Sequence, residues 1–223
     1  MSDAITSAQP TSEPNGAKAP APDPAGDDVI ELHRRTIDKV LIGFGALTTV
    51  VFLVAGGLLA WGANFSDDYV HRELASQNVF FPSAEELKAE GRDDLVAHAD
   101  EQVTTGTQAE AYASYIGGHL EGIADGKTYS EIDDRGAAQA VQDAIDSGAS
   151  DEEVADLQAT ADQLKAQRDT LFKGETLRGL LLSSYAWSTV GRIAGYAAIA
   201  AFVAAAAMGG LTIAGLVHLR RQD

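Results

Sequence analysis

The sequence predicts an all-α fold in which two transmembrane helices bracket an extracytoplasmic helical domain. Two charge-free apolar runs, Val40–Trp61 and Ile193–Val217, supply the spans. Between them lie capping-box patterns and apolar residues at helical spacing, with few strand signals. Charge is segregated as well. Residues 63–192 hold 25 acidic and 10 basic side chains, a net charge of −15 out of −17 for the whole chain. The expected partition is a tail over 1–35, a first spanning helix over 36–65 with its core at 40–61, and an acidic domain over 66–190. A second spanning helix over 191–219, with its core at 193–217, and a short tail over 220–223 complete it.

The tail comes first. Residues 1–28 hold five of the six prolines, and such a segment buries too little apolar surface to offset its ordering entropy. A disordered cytoplasmic tail is expected. The run Val40–Trp61 follows, and its 22 residues reach about 33 Å as a helix, enough for the hydrocarbon core. It is longer than a secretory signal core and lacks small residues at a cleavage position, so it reads as a retained anchor. Arg34, Arg35 and Lys39 precede it, whereas only Arg72 follows within 20 residues. Basic flanks stay on the cytoplasmic side, so the domain is expected outside. Both termini are then expected inside, in a multi-pass protein of the plasma membrane. Arg220 and Arg221 agree with that orientation, while Lys173, Arg178 and Arg192 run against it less strongly because long translocated loops escape the rule.

Within the domain, Ser83-x-x-Glu86, Thr128-x-x-Glu131 and Ser150-x-x-Glu153 match the capping box. Gly91, Gly106, Gly126 and Gly148 punctuate the segments. The expected layout continues the first span to about residue 78, turns at Phe80-Phe81-Pro82, and sets helices over 83–90, 93–104, 107–124, 128–147 and 150–172. Val154, Leu157, Ala161, Leu164 and Leu171 form one apolar stripe, broken by Arg168. Gly174 is a candidate kink between that helix and the segment leading into the second span. The second run is rich in Ala and Gly. Gly191-x-x-x-Gly195 and Gly56-x-x-x-Ala60 suit close helix packing, either between the two spans or with a membrane-protein partner or a second copy of the chain.

Composition excludes several chemistries. With no cysteine, disulfides, thiolate metal sites and cysteine nucleophiles are ruled out. An acidic domain repels phosphate backbones, so nucleic acid is not an expected partner and the lipid bilayer is. His98, near Asp94, Glu101 and Gln102, and His119, near Glu121, Tyr112 and Tyr115, are the weak metal-ligand candidates. No E-x-x-H, H-x-x-x-H or H-E-x-x-H spacing joins them, and His71 sits close to the first span. Of the acid groups Asp67-Asp68, Asp93-Asp94, Asp133-Asp134 and Asp151-Glu152-Glu153, several fall at expected helix starts, where negative charge complements the helix dipole. No catalytic residue and no cofactor is expected. The most distinctive stretch is Leu177–Trp187, whose leucines and aromatics suit either the bilayer surface or another membrane subunit.

Three blocks carry a resemblance: Gln77-Asn78-Val79-Phe80-Phe81-Pro82, Gly126-Lys127-Thr128-Tyr129-Ser130, and Phe172-Lys173-Gly174-Glu175-Thr176-Leu177-Arg178-Gly179-Leu180-Leu181-Leu182. With both spans in order, residues 36–221 resemble a family of actinobacterial two-span membrane proteins. The label often attached to that family, aromatic ring-opening dioxygenase of the protocatechuate-cleaving kind, implies non-haem iron held by two histidines and a carboxylate. The residues themselves favour a non-enzymatic accessory or interaction subunit of the cell envelope. The alternatives are a membrane-anchored oxygenase or metal-dependent enzyme, and a pH or cation sensor.

Overall fold

The computed structural model describes residues 34–221; the N-terminal tail predicted over 1–35 and the last two residues lie almost wholly outside that range. The described residues form five α-helices and one 3₁₀ helix. They are α1 (Arg34–Ser76), α2 (Ala84–Ala89), α3 (Gly106–Ile123), α4 (Asp134–Ser147) and α5 (Asp151–Arg220), with the 3₁₀ helix at Asp93–His98. Among the described residues no strand forms; a single antiparallel bridge joins Phe80 to Gln102. Both α1 and α5 contain segments long and apolar enough to cross a membrane.

These two helices run antiparallel. Ser66 lies on Gly191, Ala63 on Gly195, Gly56 on Phe202, Thr49 on Gly209, Gly45 on Thr212, and Ile42 on Gly215. The contact residues recur three, four or seven apart along each helix, and nearly all are small. Gly45, Gly56, Ser66, Gly191, Ala198 and Ala205 are buried there. Large apolar side chains take the opposite position. Leu41, Phe44, Leu58, Ile193, Val203 and Leu211 are each more than 60 % exposed. The pair is thus small inside and greasy outside, the reverse of a water-soluble hairpin. The Ser66 hydroxyl donates to the Trp187 carbonyl at 2.7 Å across the pair. Such bonds contribute only about 0.6 kcal/mol in apolar surroundings, so close backbone approach carries most of the association.

Beyond Ser66 the helices diverge enough to admit the rest of the chain. Helix α5 is its spine, packing on α1, α3 and α4 in turn. One core cluster gathers Val70, Leu74, Phe81, Val103 and Ala109; a second gathers Leu120, Ala124, Ile132 and Leu171. The stripe read from Val154 to Leu171 faces inward, with Ala161 and Leu171 buried. Arg168 breaks the stripe without penalty because its Nη1 reaches the Asp134 carboxylate at 3.2 Å, at the start of α4.

Caps account for most boundaries. Ser83 and Glu86 close a full capping box, and Ser150 accepts from the Glu153 amide. Thr105 and Gln108 form another full box that sets the start of α3. Asp133 caps α4 by accepting from the Gly136 amide at 2.8 Å. Gly148 closes α4 in the left-handed region at φ 73°.

Four expectations are corrected. The helix expected over 93–104 is only the 3₁₀ turn Asp93–His98. The chain after it is extended, because residues 79–82 and 100–103 pair through Phe81 N–Glu101 O and Val103 N–Val79 O bonds of 2.9 Å. The same pairing replaces the turn expected at Phe80-Phe81-Pro82. The helix expected from 128 begins at Asp134: Glu131 satisfies the Thr128 amide, but the chain turns and is recapped by Asp133. Finally, Gly174 does not break α5, which is helical from Asp151 to Arg220. A Cβ there would collide with the Leu120 side chain, so the glycine serves the α3–α5 approach.

The antiparallel contact predicts a position-dependent response. In Gly191→Val the new side chain meets Ser66 Cβ and Oγ at 2.9 Å and the Ala63 carbonyl at 3.4 Å. It is expected to destabilise the folded protein by about 1–3 kcal/mol. Gly57→Val, with no atom within 4 Å of its Cβ, is expected to stay within about 0.5 kcal/mol of the parent. Thermal unfolding in a mild detergent compares the two.

Candidate functional site

Where α1 and α5 leave their paired apolar segments, a cavity of about 640 Å³ opens between α1, α3 and α5. Tyr69, Val70, Glu73 and Leu74 from the last turns of α1, with Gln77 just beyond its end, form one wall. Leu177, Leu180, Leu181, Ser183, Ser184 and Trp187 of α5 form the opposite wall, and Val79, Val103, Tyr112 and Ile116 close the end. Its floor is firm: Val70, Leu74 and Val103 belong to the first core cluster, with Val79, Tyr112 and Leu181 packed against it. The rim is not covered. Leu177, Leu180 and Trp187 are each more than half exposed. A volume of this size falls in the range of small-molecule sites, about 300–1,000 Å³.

Half of this site was visible in the sequence. The stretch Leu177–Trp187 provides the α5 wall. The α1 wall was missed, although Trp61, Phe65 and Tyr69 recur four apart and so share a helix face. Their rings stack in a ladder, Trp61 on Phe65 at 5.6 Å and Phe65 on Tyr69 at 6.1 Å. The ladder leads from the end of the apolar run to the mouth of the groove.

The two candidate histidines do not converge. His98 stacks on Phe81 at 5.2 Å, Phe81 meets Tyr112 edge-on at 5.2 Å, Tyr112 lies 5.5 Å from Tyr115, and Tyr115 lies 4.5 Å from His119. Three rings therefore stand between them. His98 pairs with Glu101 at 3.1 Å and His119 faces Glu90 at 3.7 Å, each on its own. His71 lies on the exposed side of α1. Among the described residues no group of three metal-ligating side chains comes together. The donors a ring-opening dioxygenase would need for iron, two histidines and a carboxylate about one point, are thus not assembled by these residues.

Apart from Tyr112, which burial raises, the shifted groups of the domain lie outside the groove lining, and most are held by local hydrogen bonds. The Arg92 guanidinium forks onto both Asp94 oxygens, at 3.0 and 2.9 Å, and binds the Ser114 carbonyl and hydroxyl on α3. That hydrogen bonding holds Asp94 below its ordinary range and raises Arg92. Glu86, Glu101 and Glu131 are lowered by hydrogen bonds: Glu86 and Glu131 from the Ser83 and Thr128 backbone amides, and Glu101 from the His98 and Gln108 side chains. Burial, then the neighbouring Glu90 carboxylate, push the Tyr115 hydroxyl up to about 12.

No protein-family model matches this chain, and no curated protein or solved structure is significantly similar to it.

Two limbs of a pH profile follow. The lowered carboxylates contribute stability that is present above about pH 4.5 and lost as pH falls through their folded values. Tyr115 is raised, so its contribution is present below pH 10 and lost between 10 and about 12, where the unfolded chain ionises first. Thermal midpoints measured across pH are expected to fall on both sides. In Tyr115→Phe the loss between pH 10 and 12 should shrink; an unchanged alkaline limb would contradict the assignment.

Proposed function

We propose that this chain spans the plasma membrane twice, with both termini in the cytoplasm and the acidic domain outside. It serves there as a non-enzymatic accessory subunit that presents its groove to an apolar ligand at the bilayer surface. The observation that carries this reading is the reversed packing of α1 and α5. The large outward side chains between Val40 and Phe65, and between Val190 and Val217, are mostly more than half exposed and form one continuous apolar belt, whereas the largest apolar patch of a soluble monomer is only about 300–600 Å². Only lipid satisfies such a belt around a helical pair.

The register supports the orientation. Because Ile42 meets Gly215, Lys39 and the Arg220-Arg221 pair lie at the same end of the hairpin, as cytoplasmic flanks should. The opposite end carries Trp61, Tyr69 and Trp187, residues suited to an interfacial belt, and then the acidic domain. Gly56, Gly191 and Gly195 are used inside the hairpin, so contacts with another membrane protein fall to the outward face or the groove.

The absence of cysteine makes the topology directly testable. Lys127→Cys, in an exposed turn, is expected to react with a membrane-impermeant maleimide on intact cells. Arg221→Cys should react only after permeabilisation, and both proteins should remain in the pellet after carbonate extraction. Release by carbonate would remove the membrane reading; reversed labelling would invert the orientation.

A further inference from the structure

We infer that Arg192 binds the phosphate of a membrane phospholipid where α5 enters the bilayer. This assignment rests on the two-span reading above and deepens it, and it does not depend on which way the chain is oriented.

Depth places Arg192 at the lipid head groups. It immediately precedes the apolar run Ile193–Val217, so its Cα stands about 1.5 Å outside that run, within a head-group layer about 5–8 Å thick. Contacts across the helix pair give the same level. Ser66 lies on Gly191 and Ala63 on Gly195, which brings Trp61 and Tyr196, residues suited to an interfacial belt, to about one turn below Arg192. The charge is also isolated. On α5 no other charged side chain occurs between Arg178 and His218, and on α1 none occurs between Lys39 and Asp67.

Within the domain Arg92, Arg168 and Arg178 each meet a carboxylate, at 2.9, 3.2 and 2.8 Å. Arg192 is exposed, and among the described residues no carboxylate comes within 4.0 Å of its guanidinium. Asp67 and Asp68, the first acids beyond Ser66 on α1, do not reach it. Its one protein bond runs from Nη2 to the Thr189 hydroxyl at 3.3 Å. Thr189 lies three residues back toward the domain, so the guanidinium turns away from the hydrocarbon, as a snorkelling arginine does. That bond uses one of five N–H donors. One turn before Arg192 on the same face, Ser188 is pressed by Gly106 at the start of α3, so the domain stands directly above. The unused donors are left at the level of the head groups. A planar guanidinium matches two oxygens of a phosphate diester in a bidentate fork, and phosphate is the anion that a phospholipid supplies at this depth.

The test uses the full chain in dodecyl maltoside, a detergent without phosphate. Its thermal midpoint is followed as one of three probes is added: dimyristoyl phosphatidylcholine, a galactosyl diacylglycerol with the same chains and no phosphate, or inorganic phosphate. Phosphatidylcholine is expected to raise the midpoint about 3 °C further than the galactosyl lipid, and inorganic phosphate to leave it unchanged. Arg192→Gln should abolish the difference between the two lipids. Arg192→Lys, which keeps the charge without the fork, should retain less than half of it. Each variant is compared with itself across lipids, so a change in its baseline stability does not enter. Asp67→Asn should leave the difference in place. Equal shifts from both lipids, or a full difference in Arg192→Gln, would overturn the phosphate site while the membrane reading stands. A difference that appears only in Asp67→Asn would also overturn it, by assigning the guanidinium to that carboxylate. A shift from inorganic phosphate as large as that from phosphatidylcholine would overturn the lipid as the source of the anion. A folded protein that stays soluble without any detergent would instead strike the two-span reading.

Discussion

The contact between α1 and α5 is made where both helices thin to Gly, Ala, Ser and Thr. In an apolar medium there is no hydrophobic gain from bringing two leucine faces together, since lipid is as apolar as leucine. What remains is the attraction between closely spaced atoms, about 0.1–0.2 kcal/mol per pair, which accumulates only when backbones approach. Gly45, Gly56, Gly191, Ala198 and Ala205 permit that approach over the length of the pair. The same choice sends the bulky residues outward, so one constraint sets both how the helices hold and which side chains face away from the pair.

That constraint also builds the domain. The pair is tight up to Ser66 and Gly191, and beyond it α1 ends at Ser76 while α5 continues away from the pair to its own start at Asp151. The intervening chain must fill the space beside a single long helix. It does so with α3 and α4 laid on α5, and the small-residue logic recurs. Gly106 presses on Ser188 and the Tyr185 backbone, and Gly174 on Leu120. The groove is what is left where α1 ends and α3 cannot follow: its floor is packed core, its walls the two departing helices. It is a consequence of the topology and persists as long as α1 and α5 part at that point.

The sequence made the long-range architecture legible and the short elements less so. Both apolar runs were plain because lipid-compatible length and absence of charge are properties of contiguous residues. The stripe from Val154 to Leu171 was plain because a helix repeats it five times. The boundaries that failed depended on partners distant in the chain. Residues 99–104 have ordinary helical character, yet the chain turns at Ala99-Asp100 and then runs extended because residues 79–82 offer a backbone to pair with. Thr128-x-x-Glu131 is chemically a capping box, but Asp133 caps again a few residues later and takes the helix start. Gly174 looked like a breaker because propensity counts only the local penalty of about 1 kcal/mol, while the gain lies in letting Leu120 approach. For the groove, the α5 wall was visible as an anomalous run of leucines and aromatics. The α1 wall was overlooked because Tyr69, Val70 and Leu74 are scattered among the charged residues that follow the apolar span.

The aromatic residues sort the two readings of the domain. Five rings, His98, Phe81, Tyr112, Tyr115 and His119, run in a chain from the half-buried His98 to the exposed His119. A metal centre would need the terminal histidines to face one point. Here each histidine instead caps an end of the chain and takes a carboxylate of its own, Glu101 or Glu90. Phe81 is buried and Tyr112 half-buried among the core residues that floor the groove, so the chain of rings supports the site from behind. The two histidines then end a packing device, with their polar edges turned to solvent and paired. Of these rings only Tyr112 lines the groove, with Phe81 packed behind it. Among the described residues the two histidines and their carboxylates are therefore used as separate pairs at the two ends of the ring chain.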